Sequence, residues 1–123
     1  MATIYKIVPA ALWREAVVAG RFSGAGVDLT DGYVHFSTAA QVRDTAAKHF
    51  AGVADLLIVA VDARALPALR WEPSRGGDLF PHLYEDLPTS AVQWAEPLPV
   101  GANGQHKFPA SMALEGVRDG DNG

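Results

Sequence analysis

The chain has 123 residues, no cysteine and a formal charge of −4; that length suits one domain, and the missing cysteine excludes a disulfide frame, a thiolate metal cage and a cysteine nucleophile. Hydrophobic residues make up 49% and charged residues 20%, unlike a disordered chain, and with no basic run the electrostatic footprint of a long nucleic-acid partner is absent. The opening "MATIYKIVPA" lacks the apolar core of a secretory signal and "LLIVAV" is too short to span a bilayer, so a cytoplasmic protein with no membrane partner is expected.

In chain order, "TIYKIV" is rich in β-branched and aromatic residues and predicts a strand that stops at Pro9, which is also well placed to open a helix. In "PAALWREAVVAG" the residues Leu12, Trp13, Ala16 and Val17 recur at helical spacing, with Gly20 as the stop. The next stretch, "RFSGAGVDLTDG", has three glycines and paired Asp residues, and reads as a loop. "YVHF" alternates, so that Tyr33, His35 and Ser37 share one face of a strand while Val34 and Phe36 share the other.

Thr38 followed by Gln41 fits a capping box, and Val42, Ala46, His49 and Phe50 form the stripe of the helix it opens, ended by Gly52. "ADLLIVAVD" is a short continuous apolar run and predicts a central strand buried on both faces. "LRWE" is a further short strand. "EPSRGGDLFPHLYEDLP" packs glycines, prolines and polar aromatic groups into what reads as a long functional loop, and "AVQWAEPL" closes the set as a last strand. The order β, α, β, α, β and then mostly strands indicates a small α+β domain. The tail after Val100 has little period, and its last part is expected to be mobile.

Three places could carry chemistry. At the junction of His35, Ser37 and Thr38, free N–H groups of a helix start and two hydroxyls make a natural ligand site, and His35 could move a proton; equally, Thr38 could only cap the helix and His35 be a satisfied strand residue. In "LFPHLYEDLP" the side chains of His82 and Tyr84 point the same way among Phe80, Leu83 and Leu87, which suits either a clamp for an aromatic ring or a hydrophobic plug. Glu72 follows Trp71, whose bulk would raise the carboxyl's pKa toward acid/base use; pairing with Arg70 or Arg75 is the alternative. His35, His49, His82 and His106 lack metal-ligand spacing, and no GxSxG elbow surrounds Ser37 or Ser74, so neither a metal centre nor a serine hydrolase is expected.

Taken together, "YKIV", "GYVHFSTAAQV", "LLIVAVD", "RWE" and "LFPHLYEDLP" make residues 3–99 resemble the domain of unknown function 952 family, which is mainly bacterial and carries no settled activity. The resemblance implies a single family domain over residues 1–100 with a tail at 101–123, and a twisted, split β core with flanking helices like that of the ADP-ribosyltransferase group, whose cleft takes NAD. It places His35, Ser37 and Thr38 on the cleft and Lys6 on the first strand, where that group usually carries His or Arg. Lys6 is a point charge without their planar hydrogen-bonding geometry. Either Glu72 or Glu85 could supply the carboxylate that such enzymes set near the ribose.

The expected function is a cleft for a small ligand such as NAD or ADP-ribose; the cofactor is left unknown, with NAD a candidate substrate. His35 and Glu72 are the catalytic candidates; Lys6, Ser37, Thr38, Phe80, His82 and Tyr84 are the binding candidates. Whether the cleft performs glycosyl or ADP-ribosyl transfer, only binds a nucleotide, or is a scaffold in which the same residues cap and pack stays open at this point.

Overall fold

The computed structural model describes residues 3–110 and 112. Strand β1 (Thr3–Pro9) passes directly into helix α1 (Ala10–Ala19). Pro9 serves both, because it has no N–H to give a sheet and none is needed where a helix starts. Gly20 ends α1 at φ 84°, its N–H donating to the Ala16 carbonyl, in the left-handed conformation that glycine takes without a Cβ clash. The helix buries less than its spacing suggested: Trp13 and Ala16 are covered while Leu12 and Val17 stay exposed.

The stretch expected to be a loop instead holds strand β2 (Arg21–Phe22) and the five-residue helix α2 (Val27–Asp31). Its glycines flank that helix rather than exclude it, Gly32 closing it with an N–H to the Asp28 carbonyl. Gly24 is required for another reason. At φ 121° its missing Cβ would lie 2.8 Å from Cβ of Asp28, so the loop can press on Asp28 only as glycine.

The "YVHFST" segment splits into β3 (Val34–His35) and β4 (Ser37–Thr38) and feeds α3 (Ala39–His49). The capping box is complete: Thr38 Oγ1 accepts from Gln41 N–H at 3.2 Å and Gln41 Oε1 accepts from Thr38 N–H at 3.0 Å. Gln41 also donates to the Leu79 carbonyl at 2.8 Å, tying the helix start to a neighbouring sheet. The helix ends at His49, before Gly52, with Phe50 as its C-cap. Thr38→Ala is expected to lower stability by about 1 kcal/mol, measurable by urea unfolding, with no change in topology.

Strand β5 (Leu56–Asp62) is central, as its continuous apolar run requires, in an antiparallel sheet of order β4-β1-β5-β9, where β9 is Val92–Pro97. A second antiparallel sheet has the order β3-β7-β6, with β6 at Leu69–Pro73 and β7 at Leu79–Leu83, and β2 pairs with β8 (Leu87–Pro88). The expected long loop therefore contains the middle strand of a sheet. Pro81 concealed it, since proline argues against a central strand; here its carbonyl accepts from Phe36 N–H at 2.9 Å, a role that needs no N–H.

The chain from 34 to 38 belongs to both sheets. Ser37 and Thr38 pair with Tyr5 and Ile4, whereas Val34 and His35 pair with Leu83 and His82. Alternation along the central strands then divides the core. Ile4, Val8, Val59 and Val61 pack on one side with Val34, Phe36 and Leu83, and Tyr5, Ile7, Ile58 and Ala60 pack on the other with Val42, Ala46 and Met112. Met112 and Phe108 join this second layer, so packing continues past residue 100. The last part of the 101–123 tail, expected to be mobile, runs into residues 113–123, which lie outside the described ones. Among the described residues no helix is long and apolar enough to cross a membrane.

Candidate functional site

A cleft of about 550 Å³ opens where the strand at 34–38 leaves β1 for β7, walled by Lys6 and Ile7 of β1, Leu12 of α1, His35 to Ser37, and Phe80 and His82 of β7. Its origin is topological. Because β1 pairs with the 34–38 strand only through Ile4 and Tyr5, the edge of its second half has no strand beside it on that side, and the cleft occupies the gap. The α3 end contributes Thr45, His49 and Phe50.

Lys6 shares its face of β1 with the core residues Ile4 and Val8 and is only 8% exposed. An ammonium there must be paired. Its partner is Asp28 of α2, 2% exposed, whose carboxylate receives Lys6 Nζ at 2.8 and 3.1 Å, the N–H groups of Ala25 and His35 at 3.0 and 3.1 Å, and His35 Nδ1 at 2.6 Å. An ionised carboxylate can only accept, so Nδ1 carries the hydrogen. On the far side of the ring His35 Nε2 lies 3.0 Å from Oδ2 of Asp31, so both ring nitrogens face carboxylates. His35 thus fastens α2 to β3.

The electrostatics follow. Burial pushes the Asp28 carboxyl up, but the His35 hydrogen bond, the charge and hydrogen bond of Lys6 and the Ala25 N–H outweigh it and hold the group down at about 2. Burial is the larger influence on Lys6 and depresses it below the usual lysine value, against the pull of Asp28.

The second cluster lies on the face of the three-stranded sheet where His35, His82 and Arg70 are register partners and Phe80 faces Glu72. Glu72 Oε1 accepts from His82 Nδ1 at 2.8 Å and from the Tyr84 hydroxyl at 2.7 Å. These bonds, that of His82 first, hold the Glu72 carboxyl below its ordinary value. The sequence suggested the reverse, with Trp71 shielding the carboxylate. Strand alternation turns the two side chains to opposite faces, and Trp71 stays 43% exposed. Tyr33 packs its ring on His35, His82 and Tyr84 at centroid distances of 4.5, 4.3 and 4.9 Å.

Of the residues singled out from sequence, Lys6, His35, Ser37, Phe80 and His82 line the cleft. Ser37 is buried, its hydroxyl 2.9 Å from that of Thr45. Thr38 spends its oxygen on the helix cap, and Glu72 and Tyr84 stand behind His82. His49 touches the cleft from α3, while His106 bonds the Val53 carbonyl through Nε2 at 2.9 Å. Among the described residues no group of three or more His, Asp or Glu is placed to hold a metal ion.

Asp28, Asp31 and Tyr33 were not singled out. A signal for Asp28 existed, since a lysine on the buried face of "TIYKIV" demands a carboxylate; with 14 acidic residues in the chain, only the fold says which.

Residues 7–95 match the family described as protein of unknown function (DUF952). The crystal structure of protein CC0527 from Caulobacter crescentus is 45% identical, with 91% of this chain and 99% of that one covered at a TM-score of 0.86. The solution NMR structure of CC0527 is also 45% identical, with 93% and 99% covered at a TM-score of 0.82. No curated protein matches.

Proposed function

This chain belongs to the DUF952 family of proteins of unknown function, and from that premise we propose that its cleft binds a nucleotide-type ligand of the NAD or ADP-ribose kind. The observation that carries the reading is the cleft itself: about 550 Å³, within the size range of small-molecule sites, with apolar walls and a few convergent polar groups. Phe36, Phe80 and Leu12 offer flat apolar surface for a heterocycle, while Ser37, Thr45, Ser74 and the third hydrogen of Lys6 suit ribose hydroxyls and phosphate oxygens. The division of the β core into two sheets around this opening fits the resemblance to the ADP-ribosyltransferase group. Glycosyl or ADP-ribosyl transfer from bound NAD is the chemistry that this reading carries with it.

The test is an amide NMR titration with NAD, ADP-ribose and nicotinamide. Saturable shifts are expected at Lys6, Ser37, Phe80 and His82. A flat response to all three ligands sinks the nucleotide reading and leaves the junction at "VHFST" as a capped, packed strand end.

A further inference from the structure

We propose that His82 is the catalytic base of this cleft, its Nε2 taking the proton from a water that attacks the glycosidic carbon of the bound nucleotide. The inference rests on the nucleotide reading above and deepens it. Two histidines meet at the cleft with ring centroids 5.3 Å apart, and they differ in what they have left to offer. Both nitrogens of His35 face carboxylates, Asp28 at 2.6 Å and Asp31 at 3.0 Å. His82 commits only Nδ1, to Glu72, and among the described residues Nε2 has no hydrogen-bond partner, although the side chain is 3% exposed and lines the cleft.

A buried imidazole nitrogen left unpaired is a cost in a finished core and an asset in a site that has still to receive a ligand. Glu72, steadied by the Tyr84 hydroxyl at 2.7 Å, accepts the Nδ1 hydrogen, so the lone pair belongs to Nε2. Tyr33 stacks on the ring at 4.3 Å and limits its rotation. This is the arrangement of a base oriented by a carboxylate.

The substrate class is an N-glycoside whose heterocycle is cationic. The water oxygen forms a bond to the anomeric carbon. The carbon–nitrogen bond breaks with its electron pair going to the ring, which leaves as a neutral base. The water proton passes to His82 Nε2, and Glu72 stabilises the resulting imidazolium. Applied to NAD, the products are ADP-ribose and nicotinamide.

Two measurements test this. Long-range 1H–15N spectra of the ligand-free protein in mildly alkaline buffer are expected to show His82 with hydrogen on Nδ1 and a bare Nε2, and Glu72→Ala is expected to release that preference. A His82 ring protonated at Nε2 overturns the assignment with no ligand involved. With saturating NAD, His82→Gln is expected to slow nicotinamide release about 10²–10⁴-fold. Equal release by wild type and variant, or no release by a wild type that binds NAD, overturns the base and leaves the binding site standing. NAD that fails to bind sinks the nucleotide reading instead, and the spectra still decide the state of Nε2.

Discussion

Asp28→Ala is expected to lower the unfolding free energy by about 3–5 kcal/mol, because removing one partner of a buried pair leaves the other charge uncompensated. The carboxylate is 2% exposed and holds Lys6, the Ala25 and His35 N–H groups and the His35 ring, so its loss strips partners from two strands and a loop. Adding Lys6→Met to the Asp28→Ala chain is expected to restore part of the stability, since it removes the stranded ammonium. Urea unfolding of the two variants decides the matter. A cost below about 1 kcal/mol for the single variant would mean that the pair contributes no more than a surface ion pair.

Acid reads the same contact. The Asp28 carboxyl lies at about 2 against a usual 3.8, a depressed group, so its contribution is complete above the usual value and is lost as pH falls through about 2. At 1.36 kcal/mol per pH unit the loss amounts to about 2 kcal/mol. The Asp28→Ala chain is expected to lack that step of the acid-unfolding curve.

Phe36→Ala is the second substitution with a large expected effect, about 3–5 kcal/mol for a buried Phe. Phe36 is 2% exposed, packs with Val34, Leu83 and Val8, and stands where the strand passes from one sheet to the other. It also lines the cleft. Truncation therefore removes core packing and widens the ligand space in one step. Chemical denaturation measures the first effect, and the second should weaken binding of a flat heterocycle such as nicotinamide in the titration described above. Stability close to wild type would show that the junction of the sheets tolerates a void and is not the keystone its burial suggests.

Much of the architecture could be read along the chain because its causes are local. The Pro9 switch from strand to helix, the Gly20 stop, the Thr38–Gln41 box and the central position of "LLIVAV" each depend on residues within one element. The failures have causes of the same kind acting in reverse. Glycines made α2 look like a loop, and Pro81 hid β7, because a local signal for irregular backbone outweighs a short strand whose support comes from neighbours far along the chain.

For the cleft, the sequence alone determined that His35, Ser37, Phe80 and His82 deserved notice, since strand alternation groups such side chains on one face whatever the fold around them. It could not determine their partners. Tertiary structure set Asp28 against Lys6 across 22 positions and Glu72 against His82 across 10, and those pairings decide which imidazole nitrogen is engaged and which carboxylate is held low. A hydrogen bond or ion pair acts over about 3 Å, a distance that sequence separation does not encode. Element type was therefore legible where short-range backbone preferences govern it, and the division of labour between the two histidines emerged only when the two sheets were brought together.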